Sequence, residues 1–305
     1  MFVNVLTQVI ILLILILIGV VLAKGKVLTE SGVKSMTDMV LYTVTPCVII
    51  KSFIREFDPA TLKKLLISFL IALLAHIGFI VLSHLIIHDK DKSKESVLRY
   101  GTVFSNCGFM SIPLQQALFK DDGVFYATSY IAIFQLLIWS YGIIVMSGDK
   151  KYLSPKKLLL SPGLIGLAAG LIIFLFSIPI PEIIIEPIKY MSYLNTPLPM
   201  IIIGFHLANS NVLDGIKNPK CLLAISLRLV ILPLIALVVM YLCRIRGVML
   251  VSSVISCCAP VAAITTMFSA KFERDTSLSV NFVSLSTVLS LITMPLLITL
   301  AQYFA

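Results

Sequence analysis

The sequence predicts an all-α membrane protein. It reads as ten transmembrane helices in two inverted five-helix repeats, with helices 4 and 9 broken and crossing at the midplane. Three observations lead there. The 305 residues are 59% hydrophobic and only 13% charged, with a mean hydropathy of +1.04, where a soluble domain carries about 25% charged residues. Apolar runs of roughly 20 residues, the length a bilayer demands, recur between short polar connections. Two of them, GTVFSNCGFMSIPLQQALF at 101–119 and VMLVSSVISCCAPVAAITTMFSA at 248–270, hold a proline among small and polar residues near their middles. A proline removes a helical hydrogen bond and disturbs the turn before it. Backbone freed at membrane depth is tolerated only where protein or a water-filled cavity covers it, and a matched pair of interrupted helices points to a transporter's substrate site.

The spans follow in order. Residues 3–23 have no basic flank before them and no small-residue cleavage site after them, so they read as a retained helix rather than a signal peptide. Residues 33–54 carry YTVTPCVII, where Thr45 and Pro46 predict a kink. Residues 62–87 contain His76 and His84; with His88 beyond them, they find no carboxylate in the span to complete a metal set and read as packed or interfacial imidazoles. Residues 97–119 are the first broken span, and FKDDG turns the chain into 123–147. After SGDKKYLSPKK come 158–178, then 183–209 with YLNTPLPMIII, then 219–243 with Arg228 inside it. The broken 248–270 and, past KFERD, 276–304 complete the set. YTVTP and YLNTP occupy corresponding positions, as do the two broken spans. Five spans per repeat, an odd number, invert residues 151–305 relative to 1–150 and put the pseudo-two-fold axis in the membrane plane. No linker divides the chain, so residues 1–305 read as a single membrane domain.

Fifteen lysines and arginines fall in odd-numbered connections, Lys24, Lys92, Lys150, Lys156, Lys157 and Arg274 among them, against eight in even-numbered ones, Lys51, Lys120 and Arg244 among them. The bias places odd connections in the cytoplasm and both termini outside a cell membrane. It also accounts for the net charge of +9 without nucleic acid as a partner. The six cysteines lack zinc-type spacing and read as small packing residues. GxxxxGK[ST], HExxH and GxSxG are absent, so nothing points to an enzyme or calls for a cofactor.

Asn106 is the leading candidate, since its amide can both donate and accept. It lies about 13 Å into its span and Pro260 about 18 Å into its own from the other side, both near the centre of a core of about 30 Å. Half-helix N-termini present free N–H groups and a positive dipole end, an anion site that needs no lysine. The candidate substrate-binding set is Asn106, Cys107, Ser111 and Pro113 on the first broken span and Cys258, Pro260 and Thr265 on the second, flanked by Thr45, Pro46 and Asn195. Plainer roles compete: Asn106 as a cap, the prolines as kinks, the hydroxyls bonding back to their own helices. Arg228 is expected to snorkel to the headgroups or to pair with a carboxylate or the substrate. Lys51 is near enough to a span end to snorkel, and Asp38 is a candidate proton-linked carboxylate.

NCGFMSIPL followed by FKDDG, then TPLPMIIIGFHLA, CCAPVAAITTMFSAKFERD and STVLSLITMPLL, resemble the auxin efflux carrier family, which includes bacterial malate and malonate permeases and plant PIN-type auxin exporters. The resemblance runs through all ten spans. It implies that helices 4 and 9 cross at the midplane and that a mobile bundle moves, elevator-like, against a scaffold of helices 1, 2, 6 and 7, through which a homodimer forms. The family's membrane-embedded Asn maps onto Asn106 and its crossing prolines onto Pro113 and Pro260. The long hydrophilic loop of some plant members is absent here, so the form is that of bacterial members. The expected function is secondary transport of a small organic anion, a dicarboxylate or an indole-type acid, with a proton as candidate coupling ion. The alternatives are a sodium-coupled symporter of the bile-acid type, which needs carboxylates that the broken spans lack, and a membrane-embedded ligand sensor that does not turn over.

Overall fold

A computed structural model describes residues 2–153, 160–209 and 215–305. Lys156, Lys157 and the first residues of the expected span 158–178 lie outside the described residues. The described elements are helical, without a strand. They run α1 (Phe2–Lys24), α2 (Glu30–Phe53), α3 (Pro59–Ile86) and α4 (Lys92–Val103), then a continuous run, Cys107–Ser147. Lys120 divides that run into α5 (107–119) and α6 (121–147). There follow α7 (Pro162–Leu175), α8 (Glu182–Tyr193), α9 (Pro197–Ala208), α10 (Pro219–Leu242), α11 (Gly247–Cys258), α12 (Ile264–Lys271) and α13 (Thr276–Phe304). Among the described residues, six stretches are long and apolar enough to cross a membrane: α1, α2, α3, the Cys107–Ser147 run, α10 and α13. The 41 residues of Cys107–Ser147 would reach about 60 Å as one rod, twice a bilayer core. The bend at Lys120, with φ 52° and ψ −135°, resolves the excess.

Helix starts follow local chemistry. Asp58 precedes Pro59 and accepts from the amides of Ala60 (3.2 Å) and Thr61 (2.9 Å). Asn218 does the same before Pro219, and Asp91 and Asp275 cap α4 and α13. Each side-chain oxygen satisfies amides that have no carbonyl one turn earlier.

Three of the prolines share one device. Pro46, Pro113 and Pro233 each stand second after a five-residue π-turn, at Val40–Val44, Cys107–Ser111 and Leu227–Ile231 respectively. Bonds five residues back, such as Thr45 N to Val40 O and Leu232 N to Leu227 O, widen the turn on which the proline ring would otherwise press. These prolines therefore do not cut their helices. This corrects the expectation of a break around Pro113: the interruption lies upstream, at 104–106.

Polar contacts gather on two rims. On one, the end of α2 meets the α5–α6 turn through Lys51–Asp121 (3.0 Å) and Arg55–Asp122 (2.8 Å), and Phe57 N donates to Ser177 Oγ. On the other, Lys220 pairs with Asp89 (2.9 Å), Arg274 Nε donates to Met146 O, and Asp275 N donates to Ser93 Oγ. Between the rims, α1 and α9 touch backbone to backbone: a Cβ on Gly204 would overlap the Ile16 carbonyl, and one on Gly19 the Ile201 carbonyl. α7 lies nearly as close to α2, with a Cβ on Gly166 falling 2.9 Å from Pro46 Cα.

Replacing Gly204 with valine forces α1 and α9 apart. Overpacking of this kind costs about 1–3 kcal/mol, and a thermal unfolding midpoint equal to wild type would refute the contact. On the second rim, the Asp91 amide and then Lys220 hold the Asp89 carboxyl below its ordinary range. Burial pushes Glu95 up, but its bonds to Lys92 and Arg99 (both 2.6 Å) outweigh that and leave it lowered. Both groups add stability that is full above their unfolded values near 4 and is lost as pH falls through the lower folded values. Melting curves between about pH 7 and about pH 3 should therefore show a smaller acid loss for Asp89→Asn than for wild type.

Candidate functional site: the paired helix interruptions

Residues 104–106 separate α4 from α5, and residues 259–263 separate α11 from α12. The two interruptions pair with each other. Asn106 N donates to Pro260 O (2.7 Å), Ala262 N donates to Phe104 O (3.0 Å), and Ser105 and Val261 form an antiparallel bridge between these bonds. Ser286 of α13 accepts from Val261 N at 3.1 Å. Backbone that left its own helix thus finds partners across the gap, as burial in an apolar medium requires.

Asn106 caps α5. Its carbonyl accepts from Met110 N (3.1 Å) and its Oδ1 from Phe109 N (3.3 Å). The residue is 7% exposed, and its Nδ2 makes no hydrogen bond among the described residues. Cys107, at 1% exposure, opens the same turn. Thr265, fully buried, sits in the first turn of α12 with its hydroxyl unpartnered. Pro260 and Cys258 are buried at the other interruption, with Cys258 Sγ turned to Ile255 O of its own helix.

Arg228 does not snorkel. It is fully buried in the π-turn of α10. Its Nη1 donates to Thr102 O (3.1 Å) and Val103 O (3.0 Å), and its Nη2 donates to Cys257 O. Those carbonyls are the ends of α4 and α11. The guanidinium lies 5.3 Å from the Phe79 ring centroid and has no carboxylate partner among the described residues. The inward course is favoured because a guanidinium offers five donors and the cut helices offer carbonyls that need them.

A second polar network ties α5 to α11. Gln115 Nε2 donates to Ser111 Oγ (2.8 Å) and Ser256 Oγ (3.0 Å), while Ser252 Oγ donates to Gln115 Oε1 (2.5 Å) and Gly123 O (3.0 Å). All four side chains are fully buried. Ser111 thus works within this network, and Pro113 lies buried two residues along.

The remaining candidates scatter. Thr45 is buried, and Pro46 packs on α7. Asn195 lies between α8 and α9, fully buried, with neither amide atom partnered. Asp38 is exposed on α2 with no ion pair among the described residues and stands outside the interruptions. His76 is buried, its Nδ1 against Ala72 O (2.8 Å) and its ring 4.5 Å from that of Tyr130. No group of three metal-ligating side chains occurs among the described residues. Lys51 pairs with Asp121 on the rim, and both line a cleft of about 410 Å³ with Pro113, Gln116, Lys120 and Thr196. Ser252 and Ser256 went unremarked in the sequence, though their i, i+4 spacing on an apolar helix places both on one face.

The chain matches the model of the membrane transport protein family over residues 4–298 and belongs to that family, the auxin efflux carriers. It is 25% identical over 288 residues to an uncharacterized transporter of Methanothermobacter thermautotrophicus, covering 93% of this chain and 94% of the relative. It is 23% identical over 298 residues to an uncharacterized transporter of Methanocaldococcus jannaschii, covering 94% and 96%.

Gln115→Leu strips the second network of its hub and strands buried hydroxyls, at a cost of about 1–3 kcal/mol. Denaturation in detergent measures this, and an unchanged midpoint would mean that Gln115 does not bind the two half-helices together.

Proposed function

We propose that this membrane transporter is a secondary carrier of a small organic anion, a dicarboxylate or an indole-type acid, in the cell membrane. One observation carries the proposal: two helices are interrupted and paired at the same place, with their amide ends unopposed by any carboxylate among the described residues. Free N–H groups and the positive ends of two helix dipoles suit an anion in a dry site. Asn106 Nδ2 and the Thr265 hydroxyl add donors beside them, and the hydroxyl, buried without a partner, is costly unless a guest or water satisfies it. Asn195, fully buried with both amide atoms unpartnered and next in sequence to Thr196 of the cleft wall, is a further candidate contact.

In this reading α4–α5, α8–α9 and α11–α12 each make one interrupted span, which gives ten spans in inverted repeats 1–150 and 151–305, with both termini outside. α1, α2, α7 and α8–α9 act as the scaffold and as the homodimer face, and the crossing with its neighbours moves against them like an elevator. Close backbone contacts support one scaffold body, and the cleft runs between the two groups: Lys51 and Thr196 on one wall, Pro113, Gln116 and Lys120 on the other. Lysines at its mouth attract anions electrostatically. A proton is the candidate coupling ion.

The test is counterflow in proteoliposomes, with labelled malate, malonate or an indole acetate. Wild type should exchange one of these acids with or without sodium. Asn106→Ala should melt within a few degrees of wild type and lose exchange by at least about a hundredfold, since it removes a donor placed for the guest. Wild-type exchange in that variant would take Asn106 out of the mechanism; a folded wild type that exchanges no acid would favour a sensor.

A further inference from the structure

We propose that Arg228 sets the charge selectivity of the crossing. It neutralises the two carbonyl ends that meet there, so that the two amide ends select an anion. The proposal rests on the anion-transport reading and adds its electrostatic cause.

Four half-helix ends converge at the interruptions. Two are C-terminal: α4, ending at Val103, and α11, ending at Cys258. Two are N-terminal: α5, beginning at Cys107, and α12, beginning at Ile264. Each end carries about half an elementary charge, negative at the carbonyl ends and positive at the amide ends. Left alone, the four cancel and the site has no preference. Arg228 breaks that balance, because its guanidinium bonds only to Thr102, Val103 and Cys257, the carbonyls of the two negative ends. One full positive charge offsets two half-charges. No buried carboxylate lies near the positive ends: Glu95 is the buried acid among the described residues, and its partners are Lys92 and Arg99 on the rim.

The positive ends are also incompletely capped. Asn106 serves Phe109 N and Met110 N, leaving the amides of Cys107 and Gly108 without an acceptor in their own helix. At the second end, Thr265 N and Thr266 N bond to Ala262 O and Ala263 O, while the buried Thr265 hydroxyl has no partner. The arrangement is thus short of one negative charge, and a carboxylate supplies it. Arg228 acts here as a positioning and field-setting residue without touching the substrate.

The test compares uptake of indole-3-acetate with that of its neutral amide in proteoliposomes. Wild type should prefer the acid. Arg228→Lys, which keeps the charge and loses the fork, should run more slowly with the preference intact. Arg228→Met should lower the acid-to-amide ratio at least tenfold. A folded Arg228→Met protein with the wild-type ratio overturns the proposal. Should that variant fail to fold, Gly108 decides, because a Cβ there meets open space. Gly108→Asp puts a fixed carboxylate at the positive end and should carry the acid at least tenfold more slowly than Gly108→Asn. Equal rates overturn the proposal. If wild type carries no acid, the transport reading falls, and stabilisation by malonate decides the charge account on its own. A melting shift in Gly108→Asn that is absent in Gly108→Asp upholds it, and no shift in either removes it.

Discussion

Cutting two helices inside an apolar medium frees backbone groups that no water can satisfy, and the fold is organised around repairing that loss. Each unsatisfied group costs several kcal/mol in such surroundings. Burying a guanidinium without a carboxylate costs several kcal/mol as well. Arg228 brings the two deficits together, with three donor bonds to the ends of α4 and α11. Bonds to a charged group contribute about 1.5–3 kcal/mol each, enough to offset a large part of both penalties. The antiparallel bridge at Ser105 and Val261 repairs the rest of the backbone. The two features act on the same interruption and together offset its cost.

The same economy explains why proline marks a break at one position and not at another. Pro260 lies in an interruption whose partner strand takes its carbonyl. Pro46, Pro113 and Pro233 follow π-turns that make room for the ring inside a continuing helix. What cuts the chain before α5 is the Asn106 cap, which starts a new helix three residues after α4 ends. The polar side chain chooses the break, and the proline seven residues on shapes the turn that follows.

Much of this was legible in the sequence. Asn106, Pro260 and the two matched interruptions stood out because small and polar residues in a membrane-length apolar run have few structural uses. The expected spans left unused the cap signals of Asp58 and Asp91, which start their helices at Pro59 and Lys92 rather than at 62 and 97. Three things were not legible, each for a tertiary reason. A proline's effect depends on the width of the preceding turn, which composition does not reveal. An arginine nine residues into a span can reach either the headgroups or the interior, and only the position of free carbonyls decides. The Lys51–Asp121 pair was hidden because its partners lie 70 residues apart. Asp38 attracted notice as a carboxylate near a span, yet the helix turns it outward.

The distribution of bonds also limits how the site can open. Prising the half-helices apart would break Asn106–Pro260, Ala262–Phe104, the three bonds of Arg228 and the links through Gln115. At about 1–3 kcal/mol for each buried bond, the barrier would be on the order of 10 kcal/mol before any packing is lost. The contacts across the cleft are different in kind. Lys51–Asp121 and Arg55–Asp122 are partly exposed ion pairs, a class that contributes about 0–1 kcal/mol each. The cleft is therefore held by weaker polar contacts than the crossing. For the carrier proposed above, this difference in bond strength is the argument for paired interruptions that travel as one rigid piece.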